Sequence, residues 1–268
     1  MMPRHTARRV ILRRVAANPK FFNRLGVQMS VLKPGIENRI AAVRKTIAEA
    51  CAKAGRDEKS VKLLAVSKTF PESALEAAAA QGLSEFGENY AQEGCRKVDW
   101  FKENRPDLHL VWHFIGPLQS NKTRGVAERF DWVQSVNRLK IAERLSAQRP
   151  ENLAPLNVLV EVNIDGEASK SGVPASEAIA FAREVAKLPR LKLRGFMTIP
   201  APSEDPQKQA EPLLAMRRLF DEAKAAGLDI DTLSMGMSAD IAPAIEAGST
   251  MVRVGSAIFG PRDYGAKA

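Results

Sequence analysis

The chain has 268 residues, 45% of them apolar and 26% charged, with two cysteines and a formal charge of +9. That length holds one large domain or two small ones with a sizeable core, and two cysteines exclude a disulfide framework, so a reducing, cytoplasmic setting is expected. No apolar run nears the roughly 20 residues needed to cross a bilayer.

Residues 1–28 hold Arg4, Arg8, Arg9, Arg13, Arg14, Lys20 and Arg24 and no acid. Subtracting those seven charges from +9 leaves +2. The remainder is nearly balanced, so basicity makes no case for nucleic-acid binding by it. The segment lacks the uninterrupted apolar stretch of a secretory signal. A transit peptide or a basic tail would suit its composition. A true start at Met29 suits it better, because Met29-Ser30-Val31-Leu32 leads directly into the first well-patterned helix. The expected division is a basic extension over 1–28, packing weakly or not at all, and one domain over 29–268.

Ile36, Ile40, Val43, Ile47 and Ala50 recur at helical spacing, and Gly55 marks that helix's end. The short apolar run 61–67 reads as a buried strand. Further strands are expected near 85–86 and over 110–115, 132–135, 158–163, 193–198, 232–235 and 251–254. Helices fit the gaps, over 73–81, 88–101, 120–129, 137–148, 175–187, 207–226 and 239–246. Eight strands alternating with helices argue for a single (β/α)8 barrel of the TIM type, with an open doubly wound sheet as the alternative.

Such barrels place their chemistry at the carboxyl ends of the strands. Lys68 follows the first strand and shares a face with Leu64 and Val66, so it points into the interior. Partial burial penalises the charged form of a lysine and makes its amine a better nucleophile toward aldehydes. The plainer reading is a lysine that snorkels to solvent. Strand seven gives Ser234-Met235-Gly236-Met237-Ser238, and strand eight gives Arg253-Val254-Gly255-Ser256. The loops after these two strands form the usual phosphate site of this fold, and small residues with hydroxyls suit an anion. Tight turns alone would also explain the glycines. A lysine for an aldehyde, a phosphate cradle and an arginine at one barrel end together fit pyridoxal 5′-phosphate. His109 and His113 are four apart, but the segment reads as strand and no third ligand is evident, so no metal site is expected.

Leu64-Ala65-Val66-Ser67-Lys68, Phe86-Gly87-Glu88-Asn89-Tyr90 and His113-Phe114-Ile115-Gly116-Pro117-Leu118-Gln119-Ser120-Asn121-Lys122 form a recognisable set. Ser234–Ser238 and Arg253–Gly260 complete it. Through these motifs the chain resembles the pyridoxal phosphate homeostasis proteins, whose barrel is similar to the N-terminal domain of alanine racemase. The resemblance covers about residues 30 to 264. It implies that Lys68 forms the Schiff base with the cofactor, that Ser238, Gly255 and Ser256 hold the phosphate, and that Arg253 faces the pyridine nitrogen. It also implies that Asn89, His113 and Met235 line the cofactor, and that Lys170, in the loop Glu167–Gly172, contacts phosphate or a second aldehyde. Phe70 departs from a polar residue common after the lysine, and Ser256 stands where threonine is frequent.

The chain ends at residue 268, directly after the barrel. The C-terminal β-domain that supplies a racemase's second base is therefore expected to be missing, and a monomer is the expectation. An arginine at the pyridine nitrogen stays protonated, which leaves the cofactor a weaker electron sink. The resemblance thus implies a protein that holds and delivers pyridoxal phosphate to dependent apo-enzymes and keeps vitamin B6 and amino acids in balance. The rival is a slow racemase or lyase acting on amino acids.

Overall fold

The computed structural model describes residues 35–167 and 170–261. The extension over 1–28 lies outside them. Helix α1 (Ile36–Lys53) buries Ile40, Val43, Ile47 and Ala50, the stripe read from the sequence. Strand β1 (Lys62–Val66) follows, then α2 (Glu72–Ala79), β2 (Glu85–Glu88), α3 (Ala91–Asn104) and β3 (Val111–Phe114). A 3-10 turn at Ser120–Lys122 precedes α4 (Thr123–Arg129), β4 (Trp132–Val136), α5 (Leu139–Gln148) and β5 (Leu156–Asn163). The second half holds a two-residue strand β6 (Val173–Pro174), α6 (Ala178–Ala186), β7 (Leu191–Met197) and α7 (Pro206–Ala225). It finishes with β8 (Thr232–Ser234), α8 (Ile241–Glu246), β9 (Met251–Val254) and α9 (Ser256–Phe259).

The strands pair in parallel in the order β4-β3-β2-β1-β9-β8-β7-β5, and β4 also pairs with β5. That last pairing closes the sheet on itself. The open-sheet alternative is thereby excluded, and the expected eight-stranded barrel is what the chain forms. Strand β6 only extends the end of β5, matching Val162 with Val173. The main core lies between strands and helices, around Phe86, Phe114, Phe130 and Phe196. Inside the barrel, Leu64, Val66, Ile115 and Met251 form a separate small cluster.

Helix α1 covers the seam where the chain's first and last strands meet. Arg39 Nε donates to the Ile258 carbonyl at 2.6 Å, Arg56 Nη1 to the Ile245 carbonyl at 2.8 Å, and Lys53 Nζ to Glu246 Oε1 at 2.8 Å. Phe70, the departure noted after Lys68, stacks on Phe259 at 5.0 Å. An aromatic there ties the loop after β1 to α9.

Candidate functional site

Alternation along β1 continues past its end. Leu64 and Val66 face the interior, and Lys68 lines a cavity of about 280 Å³ just above them. Asn89, Ser238, Arg253, Gly255 and Ser256 line the same cavity, with Val66, Ile115, Ile199, Met237 and Ala239 as its other walls. These residues come from the carboxyl ends of β1, β2, β3, β7, β8 and β9. Six of the eight residues expected from the sequence are therefore neighbours.

The turn carrying Lys68 is held from behind. Ser67 is fully buried; its Oγ donates to Glu88 Oε1 at 2.6 Å. The Lys97 ammonium, also fully buried, donates to the Ser67 carbonyl (2.8 Å), Glu88 Oε1 (2.8 Å) and Glu93 Oε1 (2.7 Å). Thr69 has a φ of 68°, a left-handed conformation that is costly for a β-branched residue. Its N–H is taken by Glu93 Oε1 at 2.7 Å. Burial pushes the Glu88 carboxyl up, and the charge and hydrogen bonds of Lys97 and Ser67 pull it back only in part.

Arg253 is 4% exposed. Its Nη1 donates to Ser234 Oγ and its Nη2 to the Thr198 carbonyl, both at 2.8 Å. Burial lowers the guanidinium to about 10, against the opposing pull of Asp240 and Glu161. It stays charged at neutral pH.

The loops after β8 and β9 need bare backbone. Gly236 has a φ of 97°, and a Cβ there would lie 2.5 Å from Ala244 Cβ. A Cβ on Gly255 would press on the Val66 carbonyl at 3.3 Å. Ser238 and Ser256 keep exposed hydroxyls beside these turns.

A second cavity of about 240 Å³ adjoins the first and shares Asn89, Ile115 and Ile199 with it. Glu161, Asn163 and Lys170 line it. Burial raises the Glu161 carboxyl, although Asn137 Nδ2 donates to it at 2.7 Å. Lys170 pairs with Asp165 at 3.0 Å, while Ala168 and Ser169 lie outside the described residues. Two roomier clefts, of about 360 and 510 Å³, are lined by residues such as Trp112 and Asp131, or Lys62 and Glu85. They open at the amino ends of the strands, where barrels of this type carry stability rather than chemistry.

His113 and Met235 are not among the cavity's lining residues. His113 shares a strand face with Ile115 but sits one layer deeper, fully buried between Glu85 and Gln134. Met235 alternates with Ser234 and turns out into the sheet–helix core. His109 is exposed, whereas His113 is fully buried. Alternation from His113 could have found Ile115. Ile199 and Met237 lie in loops, where no periodicity points to them.

The family model described as the N-terminal domain of alanine racemase matches residues 39–263. The pyridoxal phosphate homeostasis protein of Escherichia coli K12 is 52% identical over 232 residues, which are 87% of this chain and 99% of the relative. This chain belongs to the pyridoxal phosphate homeostasis protein family. Among solved structures, PipY of Synechococcus elongatus with PLP bound has a TM-score of 0.72 at 30% identity, over 84% of this chain and all of its own. Alanine racemase from Corynebacterium glutamicum, 19% identical with a TM-score of 0.64, shares the fold over 64% of its length. In this homeostasis-family barrel, then, the strand-end cavity sits where the fold's chemistry is expected. Among the described residues, no helix is long and apolar enough to cross a membrane.

Proposed function

We propose that this protein binds pyridoxal 5′-phosphate in the strand-end cavity. It holds the cofactor for delivery to dependent apo-enzymes, in the service of vitamin B6 and amino-acid balance. The observation that carries this reading is the convergence of Lys68, Ser238, Arg253, Gly255 and Ser256 on one cavity of fitting size. Lys68 supplies the amine that takes the cofactor's aldehyde. The hydroxyls of Ser238 and Ser256, with the bare backbone around Gly255, take the phosphate. Arg253, fixed in plane by Ser234 and Thr198, faces the ring nitrogen. When bound, the cofactor supplies a ring that can withdraw electrons from a substrate's α-carbon. Arg253 donates to the ring nitrogen without yielding a proton, which keeps that withdrawal weak.

The lining of the cavity supports a carrier. Among the described residues it offers no histidine, tyrosine, thiol or carboxylate beside Lys68, so a second acid–base group is missing from it. One observation favours a slow racemase or lyase instead: Glu161, its carboxyl raised by burial, borders the adjoining cavity. Incubating the cofactor-loaded protein with each L-amino acid in deuterated water separates the two. A carrier gives α-proton exchange no faster than free cofactor. Exchange or loss of chirality well above that background would establish turnover.

A further inference from the structure

The barrel interior below the cavity holds a continuous polar chain. Arg253 Nη1 donates to Ser234 Oγ at 2.8 Å, and Ser234 Oγ donates to Gln134 Oε1 at 2.8 Å. Gln134 Nε2 lies 2.9 Å from His113 Nδ1, and His113 Nε2 lies 2.9 Å from Glu85 Oε2. Glu85 Oε1 accepts from Lys62 Nζ at 2.8 Å. Ser234, Gln134 and His113 are all 0% exposed. Six strands contribute one residue each, so the chain runs from the cavity to the amino ends of the strands.

The two ends fix its direction. A guanidinium only donates, and a carboxylate only accepts. Ser234, having accepted from Arg253, turns its own proton to the Gln134 carbonyl. The Gln134 amide then points its N–H groups at His113 Nδ1 and at Met251 Sδ, 3.1 Å away. His113 is left neutral with its proton on Nε2, facing Glu85. Burial favours that neutral ring, and it stacks on Trp132 at 5.1 Å. Burial alone would raise Glu85, but the hydrogen bonds from His113 and Lys62, with the Lys62 charge, prevail and hold it below the usual carboxylate range. The acceptor end therefore stays negative. An amide in the middle neither gains nor loses a proton near neutrality, so the chain passes polarisation without passing charge.

We propose that Gln134 is a positioning residue for the cofactor: it is the central link of an oriented hydrogen-bond relay from Arg253 to Glu85. The relay fixes the guanidinium plane and so sets how Arg253 meets the ring nitrogen. This rests on the reading of Arg253 given above. A purely structural role for Gln134 would affect folding alone and leave the bound cofactor's spectrum unmoved.

The test uses the full chain and the variants Gln134→Leu, Gln134→Glu, Ser234→Ala and Arg253→Leu. Three quantities are read: the ring ¹⁵N shifts of His113 without cofactor, the affinity for pyridoxal phosphate, and the pH midpoint of the bound absorbance band. In the parent protein, His113 should carry its proton on Nε2. Gln134→Leu should weaken cofactor binding about tenfold, while Glu85 keeps the His113 proton on Nε2. It should also move the midpoint in the same direction as Arg253→Leu. Gln134→Glu keeps an acceptor for Ser234 and should restore affinity to within about threefold, with a second proton on His113. The relay is overturned if Gln134→Leu folds and takes cofactor on Lys68 with affinity and midpoint unchanged. Where Gln134→Leu does not fold, Ser234→Ala carries the same expectation and the same refutation. A parent protein that takes no cofactor overturns the reading of the site. The relay is still tested by the ¹⁵N shifts, and a proton on His113 Nδ1 would sink it.

Discussion

Replacing Lys97 by methionine tests whether a buried charge cluster holds the turn that bears Lys68. Lys97 and Glu88 are both 0% exposed, with Nζ and Oε1 2.8 Å apart. Methionine is similar in length and flexible enough to fill the gap, so the cavity cost is small. The main cost is a carboxyl left buried without its cation. Breaking such a pair costs about 3–5 kcal/mol. A domain of this size loses about 2–4 °C per kcal/mol, so the melting temperature should fall by roughly 6–20 °C. The deficit should also depend on pH. Burial already pushes Glu88 up, and removing Lys97 removes the strongest opposing pull. A carboxyl raised above its unfolded value, about 4.3, stabilises the fold in its protonated form. That contribution is complete below the unfolded value and is lost as pH rises through the folded one. The variant should therefore lose less relative to the parent at about pH 5 than at about pH 8. Urea unfolding at both pH values measures this. A deficit under about 1 kcal/mol, typical of an exposed pair, or one equal at both pH values, would refute the reasoning.

Other substitutions probe the loops that shape the cavity. Gly236→Ala forces a side chain onto a φ of 97° and against Ala244, and should destabilise the fold by at least about 1–3 kcal/mol in thermal unfolding. An unchanged melting temperature would count against the tightness of that turn. Ser238→Ala and Ser256→Ala should each weaken pyridoxal phosphate binding about tenfold in titrations, while leaving unphosphorylated pyridoxal nearly unaffected. Equal losses for both ligands would move the phosphate away from these hydroxyls.

The features legible in the sequence were those fixed by local period. Alternation from Leu64 through Val66 to Lys68 survives the end of β1, so the strand's period alone places the lysine inward. Strand–helix alternation pointed to the barrel, though only the β4–β5 pairing distinguishes closure from an open sheet. Depth inside the barrel was not legible. His113 and Ile115 share a face, and two residues of strand rise, about 6.6 Å, separate the cavity floor from the layer below. Charge spacing along α3 does not reveal depth either. Glu93 and Lys97 have the spacing of a solvated surface pair, yet Lys97 faces inward onto Ser67. Gln134 likewise reads as a polar break in an apolar strand, and only its contacts with His113 and Ser234 give it a role. The Gln119–Lys122 motif carried much of the resemblance, yet it borders no part of the main cavity. Its Ser120 carbonyl accepts from Thr123 and Arg144 and so starts α4.

Anchoring of the cofactor by Lys68 is tested most directly by trapping the bond. Purified protein is mixed with pyridoxal phosphate, its absorbance is recorded, borohydride is added, and the modified peptide is mapped by mass. The expected result is a visible band that reduction removes and an adduct on the peptide containing Lys68, with neither in Lys68→Ala. No band at saturating cofactor, or an adduct on a different lysine, would contradict it.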